Sequence, residues 1–315
     1  MSKFSVNGDK YVETNRAKAV FDDIYQKPTP HGYFRQMSQL GYQIGEQARP
    51  YCIAAAQILR EDAPAVPLQM LDVGCSFGVG SAFVRYGCSF EELVSFYESR
   101  APEGFHQCAA AMRAWLNVVG PAFDMRVVGL DSSRNALKFA CESGLLESGI
   151  CRNLEEEDPD EEEKSWLAGC NLLISTGAIG YVGKPTFQRI LQHLGKKHPG
   201  DSPPVSVLTV LRMFDVSMIA RAYDEAGYIF ERVPGVLLPQ RAFADRTEKE
   251  QVVSRVREKG LNTAGREDDG VLYADLYVAA CERVMPRLRQ AMQNVRPEAP
   301  LFSRQVEVSR ASSDI

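Results

Sequence analysis

The chain contains no run approaching the roughly 20 apolar residues that span a bilayer, and its first residues, Met1 to Gly8, hold no long apolar stretch. Neither a membrane span nor a secretory leader is expected. Basic residues are not in excess. There are 36 Lys and Arg against 41 Asp and Glu, a net charge of −5, so the basic footprint that holds a phosphate backbone is missing. Nucleic acid is therefore not an expected partner. The eight cysteines include no Cys-x-x-Cys pair and the four histidines stand far apart, so neither a zinc site nor a disulfide framework is indicated. No metal is expected, and the scattered thiols read as small core residues of a reduced, cytoplasmic protein.

What is present is enough chain, 315 residues with 45% hydrophobic content, for one large domain or two smaller ones. Within it, Met70-Leu71-Asp72-Val73-Gly74-Cys75-Ser76-Phe77-Gly78-Val79-Gly80 reads as strand, glycine turn, helix. Apolar residues lead into an acid, and small residues at the turn let backbone approach a ligand closely. The order Gly74-x-Ser76-x-Gly78-x-Gly80 is not the Gly-x-Gly-x-x-Gly of dinucleotide-binding folds.

This segment resembles motif I of the class I S-adenosylmethionine-dependent methyltransferases, acid-x-Gly-x-Gly-x-Gly, with Asp72, Gly74 and Gly78 in register and Ser76 in place of the middle glycine. The resemblance implies that the loop passes under the amino-acid part of S-adenosylmethionine and that the acid holds the loop or the ligand's ammonium. It also implies a second strand ending in an acid for the ribose hydroxyls. Arg126-Val127-Val128-Gly129-Leu130-Asp131 fits that expectation, with Ser132 and Ser133 ready to cap the next helix. The spacing departs from the usual one. From Gly78 to Asp131 is 53 residues instead of about 20, so residues 88–122 are read as a helical insert with apolar residues at three-to-four spacing.

Asn153, after a short third strand, is the candidate for the adenine edge, since its amide both donates and accepts. The acidic run Glu155–Glu163 reads as a self-repelling solvated surface loop. Strand four and its loop, Asn171 to Val182, face the reacting carbon in the resembled fold. Ser175, Gly177 and Tyr181 are the candidates there, Tyr181 as the catalytic-side residue whose π face attracts a cationic centre.

Strands and helices alternate to the end, with Tyr228–Val233 and Val271–Ala280 as the last two strands. The expectation is an α/β, doubly wound, mostly parallel seven-stranded sheet of Rossmann-like, methyltransferase type. Residues 1–65 form a leading helical cap whose Tyr25, Tyr33 and Tyr42 close over the substrate, residues 66–282 form the S-adenosylmethionine-binding domain, and residues 283–315 a polar, frayed tail.

The expected reaction is methyl transfer to a small-molecule metabolite by in-line displacement, which requires alignment more than an acid/base dyad. A second reading follows a resemblance to azetidine-2-carboxylate synthases, in which the cofactor's own amino nitrogen displaces sulfur and releases methylthioadenosine. A third is a non-catalytic cofactor-binding module.

Overall fold

The computed structural model describes residue 24 and residues 27–100, 104–197 and 203–296; Tyr25 lies outside them. The strands are β1 (Gln69–Val73), β2 (Arg126–Leu130), β3 (Ser148–Ile150), β4 (Leu172–Thr176), β5 (Val205–Leu211), β6 (Ile229–Ala242) and β7 (Val271–Ala280). They form one sheet in the order β3-β2-β1-β4-β5-β7-β6. Pairings among β1 to β5 are parallel, and β7 runs antiparallel to both β5 and β6. The fold is thus the α/β, mostly parallel seven-stranded sheet expected from the sequence.

The central parallel strands are buried over most of their length, so they read as continuous apolar runs and not as alternation; every residue of β5 is buried. Helices cover both faces. Helix α1 (His31–Gln39) is followed by α2 (Ile44–Asp62), and α2 lies against β4, β5 and β6. Ala48, Ala55 and Ala56 are fully buried on it, small residues that let helix and sheet approach closely. Between β1 and β2 come the short α3 (Val79–Val84), then α4 (Phe90–Glu98) and α5 (Phe105–Val119). Ser89 opens α4 with a reciprocal capping box to Glu92. Among the described residues, no helix is long and apolar enough to cross a membrane.

The chain winds outward from β1 through β2 and α6 (Arg134–Glu142) to β3, returns through α7 (Glu161–Gly169), and enters β4 on the other side of β1. The strand order therefore reverses between β1 and β4. The crevice outside the carboxyl ends of these two strands is where an open α/β sheet accommodates a ligand. Helices α8 (Lys184–Leu191) and α9 (Ser217–Glu225) pack on each other, and α10 (Arg246–Glu258) precedes β7.

Three elements differ from the sequence reading. Strand β6 does not stop at Val233 but continues to Ala242, because register shifts between Arg232 and Leu237 and between Pro239 and Arg241 absorb the Pro-Gly punctuation at a sheet edge. Residues 285–294 are not a frayed tail. They form α11 (Met285–Asn294), which packs on α2 through buried Met285, Leu288 and Met292. The acidic run is only partly a solvated loop: Asp160 caps α7, and Glu163 is buried against Arg152.

Candidate functional site

At the end of β1 the backbone turns sharply under local constraints. Gly74 adopts φ 76°, and both its N–H and that of Cys75 donate to the Leu130 carbonyl at the end of β2. A Cβ at Gly74 would overlap that of Ala178, so the turn runs directly against the loop after β4. Ser76 has φ 50°, the one non-glycine at positive φ among the described residues. Such a conformation costs a β-carbon-bearing residue about 1–2 kcal/mol. Its N–H donates to Asp131 Oδ2 at 2.8 Å, while its buried Oγ has no hydrogen-bond partner.

Two carboxylates stand at the mouth of this turn. Asp131 accepts from the backbone N–H of Ser76 at one oxygen and of Ser133 at the other, each 2.8 Å away. Burial raises its pKa, and the two N–H donors oppose the rise. Asp72 is 2% exposed and its Oδ2 has no partner. Burial first, and the Asp131 carboxylate second, push its pKa from 3.8 up to about 7. Gly80, in the first turn of α3, makes room for this side chain, since a Cβ there would overlap Asp72 Oδ2.

These groups line a cavity of about 630 Å³. Asp72, Gly74, Ser76, Asp131, Ser132 and Asn153 all border it. From the other side come Tyr33, Tyr42, Gly177 and Tyr181. Tyr42 is buried with its hydroxyl bonded to Tyr33 and Thr176, and burial, with the Asp72 charge next, raises its pKa to about 12. Tyr181 stands at the rim, 51% exposed. Asn153 Oδ1 accepts from the Glu155 N–H at 3.2 Å, a local turn that fixes the side chain beside the cavity.

Two expected residues do not reach the cavity. Gly78 caps α3, and a Cβ there would press on Leu145 and Ala140, so the residue serves packing between α3 and the end of α6. Ser175 is fully buried and donates its hydroxyl to the Val73 carbonyl at 3.1 Å, tying β4 to β1. Conversely, Met37, Gly80, Thr186 and Gln240 line the cavity and were not singled out from the sequence. Gly80 carried a signal, as the last glycine of the run; Gln240 carried none.

The acidic run also shapes this wall. Glu155 Oε1 accepts from the Gly183 and Thr186 N–H groups and the Thr186 hydroxyl, capping α8 from a distant loop. Arg152 is held by Glu157, Asp160 and Glu163 together. The segment after β3 is thereby pinned to the rim it contributes to.

No family model matches the chain, and no curated protein matches it in sequence. Among solved structures it is similar to a TehB-like SAM-dependent methyltransferase from Corynebacterium glutamicum ATCC 13032, with 13% identity over 78% of this chain and 94% of that one and a TM-score of 0.35. It is similar to the plantazolicin methyltransferase BamL in complex with a triazolic desmethylPZN analog and SAH, with 10% identity over 87% and 98% and a TM-score of 0.40. The cyclopropane synthase MmaA2 from Mycobacterium tuberculosis shows 14% identity over 72% and 83%, TM-score 0.34. At these identities the likeness is one of fold.

Proposed function

We propose that the chain is an S-adenosylmethionine-dependent transferase that moves a methyl group to a small-molecule acceptor by in-line displacement. The observation that carries this reading is the pair of carboxylates at the reversal of strand order, Asp72 buried and Asp131 half-buried. Asp72 offers an oxygen without a partner, and Asp131 has both oxygens aligned by backbone N–H groups. An ammonium beside Asp72 and a vicinal diol beside Asp131 satisfy both, and S-adenosylmethionine carries the two groups in one molecule.

In this reading the backbone at Gly74 approaches the amino-acid part of the cofactor, Ser132 lies beside the ribose, and Asn153 reads the adenine edge. Bound there, the cofactor supplies a methyl group made electrophilic by the attached sulfonium. The chain's own task is to align the acceptor with that methyl and exclude water. Tyr33, Met37 and Tyr42 wall off the acceptor end, and Tyr181 at the rim presents a π face to positive charge. The acceptor is proposed not to be nucleic acid, in keeping with the net charge of −5, with no membrane partner and a cytoplasmic setting.

The test is incubation with S-adenosylmethionine labelled in its methyl group, with and without a small-molecule extract. Labelled product with S-adenosylhomocysteine, formed only with the extract, supports methyl transfer. Methylthioadenosine formed from the cofactor alone overturns it in favour of intramolecular attack, and binding without turnover leaves a non-catalytic module. Asp131→Ala is expected to weaken S-adenosylhomocysteine binding by about 1.5–3 kcal/mol, roughly 10- to 150-fold, through lost charged hydrogen bonds. Unchanged affinity by titration calorimetry would refute the ribose role.

A further inference from the structure

The end of β6 carries a further buried polar atom with no partner, Gln240 Oε1. In the β6–β7 ladder Pro239 faces Tyr273 and Arg241 faces Leu272, so two consecutive β7 residues oppose two β6 residues that are two apart. Gln240 is the residue left over. A bulge of this kind turns a side chain away from its ladder position. The surrounding backbone is clasped by the connector between α1 and α2: Gln43 N–H donates to the Gln240 carbonyl at 2.8 Å, and Ala242 N–H to the Leu40 carbonyl at 2.7 Å. The backbone that carries the expelled side chain is therefore fixed at Gln240 and at Ala242.

Its carboxamide lines the cavity at 3% exposure, and Oε1 has no hydrogen-bond partner. The amide nitrogen lies 2.9 Å from where a Cβ on Gly177 would stand, so it rests against the loop that follows β4. Tyr42, bonded to Thr176 and Tyr33, borders the same end. A buried amide oxygen without a donor is costly to keep unless something supplies one. The side chain borders the cavity, from which a ligand can supply that donor.

We propose that Gln240 determines acceptor specificity: its carboxamide receives an O–H or N–H from a small acceptor that carries no net negative charge. This rests on the transferase reading above and names its substrate class. The charge argument comes from the neighbouring residue. Arg241 also borders the cavity, but Glu248 engages its guanidinium through both oxygens, at 2.9 and 2.6 Å, and the Ala242 carbonyl takes another N–H at 2.8 Å. Arg152 is committed to three carboxylates, next in sequence to Asn153 at the far end. Arg134, the third guanidinium bordering the cavity, stands three residues after Asp131 at the ribose end, so at the Gln240 end an acceptor bearing a carboxylate or phosphate would meet the Asp72 charge without a cation set aside for it. A neutral hydroxyl or amide meets Gln240.

The experiment uses the full-length chain, S-adenosylmethionine labelled in the methyl group and a small-molecule extract, with the product passed over an anion exchanger at neutral pH. An unretained labelled product is expected, and a retained one overturns the proposal. Gln240→Leu and the near-isosteric Gln240→Met are then compared with the parent chain. Both are expected to raise the acceptor KM at least about tenfold, the loss of one hydrogen bond, with kcat changed far less and S-adenosylhomocysteine affinity kept within about twofold. Unaltered KM in both variants, with melting temperatures showing them folded, overturns the proposal. Failure of the parent chain to bind S-adenosylhomocysteine is a different result, and sinks the transferase reading instead.

Discussion

S-adenosylhomocysteine is expected to bind about tenfold more tightly at pH 8 than at pH 6, and Asp72→Asn to abolish that dependence; the tenfold follows from a carboxyl titrating at about 7. Burial is the main cause of that value and Asp131 the second. The other titratable groups in the field of Asp72 are Tyr42 and Cys52, both pushed to about 12, and Cys75, raised well above its ordinary value. All three stay neutral across the window. The ligand's ammonium thus responds to the ionisation of Asp72, while at Asp131 two N–H donors oppose the rise that burial causes.

The unliganded protein follows the opposite course. A carboxyl whose folded pKa is raised keeps its proton in the folded state at pH values where the unfolded chain has lost it. Stability is therefore greatest below about 3.8 as far as this group is concerned, declines as pH rises, and levels off above about 7. At about 1.4 kcal/mol per pH unit the decline is of the order of 4 kcal/mol. Asp72→Asn removes the charge at nearly constant volume. Its unliganded form is expected to melt higher than the parent at pH 8 while losing about 3 kcal/mol of ligand affinity, roughly a hundredfold. Thermal melts and calorimetry at the two pH values check both signs, and a flat affinity profile in the parent chain would remove Asp72 from the ammonium's binding site.

Local signals in the sequence carried the parts of the site that local structure decides. The glycine turn after Val73 and the acid at the end of Arg126–Leu130 are such parts, because a strand, a turn residue and a capping serine each declare themselves within a few positions. Sidedness was less legible. Ser175 sits in a strand buried on both faces, where apolar residues do not alternate, so nothing in the pattern says that its hydroxyl turns to Val73 and not to the cavity. Gly78 matches the motif letter for letter, yet its lack of a side chain serves the contact with Leu145 and Ala140. The acidic run was misread because its partners, Arg152, Arg189 and the N-terminus of α8, come together only through the fold. Gln240 was illegible for the same reason in stronger form. A bulge is set by the register of one strand against another, and its signature is spread over residues more than thirty positions apart.

Gly80→Ala is expected to cost little stability and most of the ligand affinity. Alanine favours the helical backbone of α3 by up to about 1 kcal/mol, but its methyl would occupy the space of Asp72 Oδ2 and crowd Asp72 Cγ at 2.9 Å. Overpacking of this kind costs about 1–3 kcal/mol, so the two contributions leave a net loss of roughly 0–2 kcal/mol in the unliganded protein. The carboxylate is the mobile partner, since α3 and β1 are fixed by the backbone bonds around Gly74 and Gly78. Displaced, it no longer faces the ligand's ammonium, and affinity for S-adenosylhomocysteine is expected to drop at least about thirtyfold. A double-mutant cycle isolates the route. If the methyl acts by moving Asp72, then Gly80→Ala in the Asp72→Asn background adds little further loss, because the charged contact is already gone. Full additivity of the two losses would mean that the methyl obstructs the ligand directly, and that Gly80 keeps space for the ligand and not for the acid beneath it.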